Sequence, residues 1–226
     1  ADAAAVAELK AAVLQLAVMG RLVPQDADDE PAGVLLERIG AERAADSKSN
    51  PQEGDLPPLP EQWCWSHLPE IAFLNPRNYL DDETVVSFVP MDAVPTEYGD
   101  PLRNETRLWR DIRKGYTHLQ EGDVAFAKIT PCFQNRKSAV MRGLTNGFGA
   151  GTTELVVFRS DPRFIVPNYL LIFLKSPGFV QGGVDNMKGT AGQQRVPKEY
   201  YTTTPFPLPP TAEQHRIVAR VDELFA

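Results

Sequence analysis

Residues 188–225 decide the fold, and they read KGTAGQQRVPKEYYTTTPFPLPPTAEQHRIVARVDELF. The stretch opens with a glycine-rich polar loop. Gly189 and Gly192 carry no side chain, so the backbone there can approach another surface closely. Gln193, Gln194 and Arg195 then offer hydrogen-bonding groups that suit phosphates and base edges. The loop is a candidate nucleic-acid contact, with an ordinary solvated loop as the alternative.

The second half of this stretch predicts an amphipathic helix. Closely spaced prolines keep the chain extended up to Thr211. Thr211 and Gln214 have the spacing of a capping box at a helix N-terminus. Ile217, Val221 and Leu224 then recur at the spacing of a coiled-coil seam. The seam indicates a partner helix, and the alternative is a helix that covers the core of its own domain.

A matching helix is predicted at the other end of the chain. Asp2 can cap a helix that runs to about Met19, and Gly20 stands where a C-terminal glycine belongs. Its narrow apolar stripe consists of Val6, Leu9, Val13 and Leu16. We expect the two stripes to meet, within one chain or between two subunits. Two ordinary amphipathic helices on one core remain the alternative.

Several segments together resemble the specificity subunit of type I restriction–modification enzymes. They are LQLAVMGRLVPQD (14–26), DEPAGVLLERI (29–39), LPEQWCWSHLPEI (59–71), FAKITPCFQNRKSAV (126–140), GTTELVVFR (151–159), TAGQQRVP (190–197) and PLPPTAEQHRIVARVDEL (207–224). That family has two target-recognition domains joined by two long helices. This chain has length for one such domain, so the resemblance implies half a subunit, natural or truncated.

The resemblance also implies partners. The subunit would bind one half of a bipartite site on double-stranded DNA. It would dock methyltransferase (modification) subunits, which carry S-adenosylmethionine, and a restriction motor–nuclease subunit. A second copy of the chain is a further candidate partner. No cofactor is expected on this chain itself.

Charge is unevenly distributed along the chain. The net charge is −7, which by itself argues against nucleic-acid binding. Residues 101–142, however, hold nine basic and four acidic side chains, whereas residues 61–100 hold one and eight. A basic middle on an acidic protein fits one DNA-facing surface, and a chance fluctuation of surface charge is the alternative. Two cysteines, three dispersed histidines and no long apolar run predict a cytoplasmic protein without disulfides, metal site or membrane contact.

The expected fold class is α/β (α+β), with one mixed-sheet target-recognition domain, helices packed on it, and N- and C-terminal helices of coiled-coil type. We predict N-terminal helices at 1–45, a proline-rich linker at 46–60, the recognition domain at 61–209 and the start of the last helix at 210–226. Residues 91–117 read as a long surface loop. The GFGAG run at 147–151 reads as a hairpin turn, and 196–208 as extended chain.

The basic middle contains the candidate DNA contacts. Arginine and lysine suit guanine, and glutamine and asparagine suit adenine, when a turn presents them to a groove. The candidates are Arg103, Arg107, Lys128, Gln134, Asn135, Arg136 and Lys137, with Lys188, Gln193, Gln194 and Arg195 from the glycine loop. For each single residue, simple solvation is an equally good explanation. The candidates for the subunit interface are Val6, Leu9, Val13, Leu16, Ile217, Val221 and Leu224.

No catalytic residue is predicted. Asn75–Tyr79 reads NPRNY, which fails the Asn-Pro-Pro-Tyr pattern of adenine methyltransferases because Arg77 replaces a proline and the aromatic residue is displaced. No phosphate loop, nucleophile elbow or zinc-protease motif is present. The alternatives to a DNA-recognition module are a stand-alone methyltransferase or nuclease, and a protein-interaction scaffold that does not bind DNA.

Overall fold

The computed structural model of the chain describes residues 2–43 and 56–226. The α-helices within these residues are α1 (Ala3–Val18), α2 (Ala32–Arg43), α3 (Leu68–Ile71), α4 (Trp109–Ile112), α5 (Pro167–Lys175), α6 (Pro177–Asp185), α7 (Lys198–Thr203) and α8 (Thr211–Phe225). The strands are β1 (Cys64–His67), β2 (Phe73–Leu74), β3 (Val85–Val89), β4 (Glu105–Leu108), β5 (Thr117–Gln120), β6 (Val124–Ala127), β7 (Ser138–Val140), β8 (Phe148–Gly151), β9 (Leu155–Arg159) and β10 (Pro205–Leu208). Short 3-10 turns occupy Met91–Ala93 and Thr145–Gly147.

An antiparallel sheet with the strand order β2-β9-β6-β7 forms the middle layer. Both of its faces are buried, and the residues of β6 show why. Val124 and Phe126 point into the core shared with the helices, whereas Ala125 and Ala127 face a second core. The alternation in the sequence therefore separates large from small side chains, because one face meets helices and the other meets a second sheet.

The second sheet has the order β4-β3-β8-β5, and it is mixed because β3 and β8 run parallel. The predicted hairpin turn at GFGAG is wrong, since β8 is an inner strand. A Cβ atom on Gly149 would lie 2.5 Å from the carbonyl oxygen of Ser87, and one on Gly151 would lie 2.9 Å from that of Val89. Glycine is present because the neighbouring backbone comes this close.

Two other segments differ from the sequence prediction. The predicted surface loop at 91–117 contains β4 and α4, and buried Trp109 and Ile112 cover the outer face of the second sheet. The predicted extended segment at 196–208 contains α7, which begins directly after Pro197, before it reaches β10. Helix α7 buries Tyr201 among the aromatic rings of the main core.

The ends of the recognition domain come together in a two-stranded sheet. β1 pairs with β10 in antiparallel register, from Cys64 opposite Leu208 to His67 opposite Pro205. The predicted linker at 46–60 lies outside the described residues as far as residue 55, and residues 56–60 have no regular structure. Ala44 and Ala45, predicted as the end of α2, also lie outside them. The α/β fold class with terminal helices is confirmed, although its strands divide into more than one sheet.

The terminal helices join the main core of the domain. Helix α1 begins as predicted, with the side chain of Asp2 accepting a hydrogen bond from the backbone N–H of Ala4 at 3.2 Å. Helix α8 has no capping box, because Pro210 is its N-cap residue and Gln214 is engaged elsewhere. The Gln214 amide accepts from the backbone N–H of Val166 at 2.8 Å and donates to the carbonyl of Phe164 at 3.1 Å. This buried side chain therefore fixes the start of α8 to the loop before α5.

Candidate nucleic-acid interface

Several strand ends meet at one end of the two large sheets. β3 ends at Val89, which pairs with Gly151 at the end of β8. β6 ends at Ala127, which pairs with Leu155 at the start of β9. The turns after β3, β6 and β8 therefore project from the same end. We call this end the recognition edge, which comprises residues 91–93, 128–137, 152–154 and 188–195.

The turn at residues 130–137 contains four of the predicted DNA contacts. Gln134 and Asn135 are exposed at its tip, and Arg136 and Lys137 are half-buried. Arg136 has a positive φ of 57°, a conformation that non-glycine residues seldom adopt. The ammonium of Lys137 donates to the carbonyl of Met91 at 2.8 Å, which connects this turn to the one after β3.

The glycine loop at residues 188–195 docks on that turn. Its ends are joined because Lys188 and Arg195 exchange backbone hydrogen bonds of 3.0 and 2.9 Å. The backbone N–H of Thr130 donates to the carbonyl of Gln194 at 2.9 Å, and Gln193 lies exposed beside it. The structure therefore brings together two groups of candidate residues that are about 60 positions apart in the sequence.

Carboxylates already neutralise three of the candidate arginines. Glu154 holds Arg195 through a fork with distances of 2.7 to 3.1 Å. This guanidinium holds the pKa of the Glu154 carboxyl below its usual range. Arg107 lies along β4, away from the recognition edge, and pairs with Glu105 at 2.7 Å. Arg103 donates to the backbone carbonyl of Asp92 at 2.9 Å, and the Asp92 carboxylate lies 3.9 Å from the same guanidinium.

The remaining cations have no carboxylate within ion-pair distance in the part of the chain that is described. They are Lys128, Arg136, Lys137 and Lys188. Lys128 donates to the carbonyl of Thr153 at 2.9 Å, which holds its stem along the β8–β9 turn. An ammonium bound to one carbonyl keeps two donors free for phosphate oxygens. On the side of the glycine loop, the uncompensated positive charge of the recognition edge comes from Lys128 and Lys188, whereas Arg136 and Lys137 lie in the 130–137 turn.

The tip of the turn also borders a groove against α1. Gln134, Asn135 and Arg136 line this groove of about 540 Å³ together with Glu8 and Glu97. The two carboxylates make this side of the turn unsuited to a phosphate. The side of Lys128 and Lys188, by contrast, suits a phosphate.

Lys175 supports the 130–137 turn, a role that was not predicted from the sequence. Its side chain at the end of α5 is 1% exposed. The ammonium donates to the carbonyls of Arg136 and Thr96 at 2.8 Å each. Burial lowers the pKa of the Lys175 ammonium to about 7. The one signal in the sequence is a lysine at the end of the otherwise apolar run YLLIFLK (169–175).

The candidate interface residues fall into two groups. Val13, Ile217 and Val221 are buried in the main core, as the alternative of two helices on one core predicts. They are not accessible to a second subunit. Val6, Leu9, Leu16 and Leu224 are exposed. The stripes of α1 and α8 thus meet within one chain and leave these four side chains on the surface.

Other kinds of site find no support among the residues that the structure describes. No group of three or more histidine, cysteine or carboxylate side chains could hold a metal ion in residues 2–43 and 56–226. Both cysteines, Cys64 and Cys132, are free thiols. Within the same ranges, no helix is both long and apolar enough to cross a membrane.

Comparison with known proteins gives relatives across the whole chain, although no family model matches it. The specificity subunit of type I restriction enzyme EcoAI from Escherichia coli is 43% identical over 237 residues, covering 100% of this chain and 40% of that protein. The EcoEI specificity subunit, also from Escherichia coli, is 42% identical over 235 residues, covering 99% and 40%. The crystal structure of the HsdS subunit from Thermoanaerobacter tengcongensis matches with a TM-score of 0.61 and 26% identity, over 76% of this chain and 44% of that one. The chain thus spans about 40% of the length of these curated relatives.

Proposed function

We propose, because this chain belongs to the family of type I restriction enzyme specificity subunits, that it selects a DNA sequence and catalyses no reaction itself. Residues 61–209 would form one target-recognition domain, which reads one half of a bipartite site. The terminal helices would orient that domain within a larger assembly. The observation that carries the proposal is the convergence of the 130–137 turn and the glycine loop at one edge, beside Lys128 and Lys188.

The geometry supports a division of labour along the recognition edge. Lys128 and Lys188 have free ammonium donors that suit the phosphate backbone, which positions a protein on DNA without reading its sequence. Gln134, Asn135 and Gln193 are exposed amides that suit base edges. Lys175 and the Arg195–Glu154 fork hold the two loops that carry these groups. We therefore assign positioning to the lysines and base reading to the amides.

The partners that we propose follow from the family. They are methyltransferase (modification) subunits, which supply S-adenosylmethionine chemistry, and a restriction motor–nuclease subunit. Val6, Leu9, Leu16 and Leu224 are the apolar side chains left on the terminal helices for such contacts or for a second copy of the chain. A protein that works on chromosomal DNA with these partners would be cytoplasmic.

Mapping of methylated adenines in cells that contain the chain and its partners tests the function directly. We expect methylation at one defined sequence. Replacing Gln134 and Asn135 together by alanine should alter or relax that sequence at one or two positions, since each bidentate base contact contributes about 1–3 kcal/mol of discrimination. The matched control is Gln181→Ala with Asn186→Ala, which removes two exposed amides from α6 and its C-cap. Methylation without sequence preference would refute the proposal.

Binding measurements on the purified assembly separate positioning from reading. Lys128→Gln with Lys188→Gln should weaken binding to cognate and unrelated duplexes alike. The slope of log K against log salt should fall by about two, because each phosphate contact contributes roughly 0.9. Calorimetry of the chain alone with S-adenosylmethionine should give no heat of binding. Measurable binding of this cofactor would favour a stand-alone methyltransferase.

A further inference from the structure

A second cationic surface lies on the flank of the second sheet, apart from the recognition edge. A pocket of about 250 Å³ there is lined by Arg77, Tyr79, Trp109, Arg113, Lys114 and His118. Among the described residues no carboxylate lines it, unlike the groove beside Gln134. The loop at residues 75–80 forms one wall, and the segment from α4 into β5 forms the other.

Hydrogen bonds hold the 75–80 loop at two points. The backbone N–H of Asn75 donates to the carbonyl of Val157, and the Asn75 side chain accepts from the N–H of the same residue, each at 2.8 Å. The buried Asn78 amide donates to the carbonyl of Leu119 at 2.8 Å and accepts from Arg159 at 3.0 Å. The loop is therefore anchored to the strands before any ligand arrives, which lowers the entropic cost of binding.

This anchored loop holds an aromatic ring in solvent. Tyr79 is 92% exposed and makes no hydrogen bond or ring contact within the described residues. Its fixed neighbours Asn78 and Leu80 are buried or half-buried. The stability of the fold does not explain a tyrosine presented in this way. Rigid exposed aromatic rings are instead common where proteins contact other molecules.

The guanidinium of Arg77 faces a nitrogen of the His118 ring that cannot accept a hydrogen bond from it. The backbone N–H of Asn78 donates to Nδ1 of His118 at 2.9 Å, so Nδ1 carries no proton. Nε2 therefore carries the ring proton and donates a hydrogen bond to the carbonyl of Arg113 at 2.9 Å. Nη1 of Arg77, 3.2 Å from Nε2, is therefore a donor that faces another donor.

The charges around the pocket are not fully compensated. Arg77 and Lys114 have no carboxylate within ion-pair distance among the described residues, while Arg113 pairs with Asp82 at 3.3 Å. Burial lowers the pKa of His118, so the ring is neutral and does not compete for an anion. Arg77 and Lys114 thus offer two free cationic donors beside one exposed ring.

We propose that this pocket binds a backbone phosphate of DNA through Arg77 and Lys114, with the Tyr79 ring packed against the adjoining sugar or base. The inference rests on the proposed function and adds a contact outside the recognition edge. The shared chemistry is that of a phosphate anion, which DNA or free phosphate could supply. The exposed ring favours DNA, since inorganic phosphate has nothing to place against it.

The test uses the chain assembled with its methyltransferase subunits and the duplex identified by methylation mapping. Arg77→Gln should lower the slope of log K against log salt by about one, the share of a single phosphate contact. Arg21→Gln is the matched control, because Arg21 is also exposed and has no ion pair among the described residues. Its slope should equal that of the unaltered protein.

Two further variants examine the ring. Tyr79→Ala should weaken binding by roughly tenfold, and Tyr79→Phe should restore it, because a stacked ring needs no hydroxyl. If Arg77→Gln and Tyr79→Ala behave like Arg21→Gln while the unaltered protein still binds its site, this inference is refuted and the proposed function stands. If the unaltered protein shows no sequence preference, both fail. Calorimetric binding of millimolar inorganic phosphate to the unaltered protein, lost in Arg77→Gln with no change in DNA affinity, would assign the pocket to a free anion and overturn the inference.

Discussion

Replacing Lys175 by methionine should change how the stability of the protein depends on pH. Lys175 is buried, and among the described residues its ammonium donates to the carbonyls of Arg136 and Thr96. Burial lowers its pKa from 10.5 to about 7, a shift that Glu97 and Asp100 oppose and Arg136 favours. Methionine keeps the length and the apolar stem of the side chain but cannot titrate.

The direction of the effect follows from proton counting. Between about pH 7 and pH 10.5 the unfolded chain holds a proton on Lys175 that the folded chain has lost, so the contribution of Lys175 to the free energy of unfolding rises with pH. Below pH 7 both states are protonated, and the cost of burying the charge is fully present. Where the two states differ by one proton, the free energy of unfolding changes by about 1.4 kcal/mol per pH unit. From pH 7 to pH 9 this amounts to about 2 kcal/mol, because the group is only half deprotonated at pH 7 and the full slope is reached above that pH.

Urea unfolding of both proteins at pH 6, 7, 8 and 9 measures this quantity. Subtracting the free energy of unfolding of Lys175→Met from that of the unaltered protein cancels the groups that titrate in both. We expect the difference to change by only a few tenths of a kcal/mol between pH 6 and 7 and then to grow in favour of lysine by about 2 kcal/mol up to pH 9. A difference that does not change with pH would show that the lysine titrates normally, and our account of its burial would be wrong.

Three more substitutions test the packing and the buried charges, each by the shift of its urea unfolding midpoint. Gly183→Ala should cost about 1–3 kcal/mol, because its Cβ would lie 2.3 Å from the Phe133 ring. Arg159→Met should cost about 3–5 kcal/mol, since it leaves the buried Asp123 carboxylate without its partner at 2.7 Å, and adding Asp123→Asn should restore part of the loss. Glu213→Ala should cost about 1–3 kcal/mol, because it leaves the buried Nε1–H of Trp63 without its acceptor at 2.8 Å. An unchanged midpoint in any of these would contradict the contact concerned.

Elements that local patterns control were predictable from the sequence. Asp2 and the apolar stripe predicted α1 nearly to its observed ends. The alternation in residues 123–129 predicted β6. By contrast, β8 was missed because its glycines indicate a turn when read locally. Their reason for being there, the close approach of Ser87 and Val89 on β3, depends on a strand about 60 residues earlier.

The candidate site was likewise predictable only where local residue types determine it. The turn at 130–137 and the glycine loop were each predicted from their residue types. Their contact through Thr130 and Gln194 was not, because it depends on tertiary packing. The pairing of Arg195 with Glu154 likewise joins two separate segments and removes a charge that the sequence counts as free. Lys175 was missed because a lysine at a helix end normally points into solvent.

The polar contacts of α8 reach separate parts of the molecule around the helix. Glu213 accepts from Trp63 and Gln25, Arg216 pairs with Asp29 at 2.6 Å, and Asp222 accepts from Tyr98 at 2.9 Å. Because these contacts lie on different sides of α8, the helix cannot rotate about its axis without breaking some of them. A rotation of the helix would therefore have to carry these parts of the molecule with it. A partner bound to the exposed side of α8 would therefore fix the orientation of the domain to which these contacts tie it.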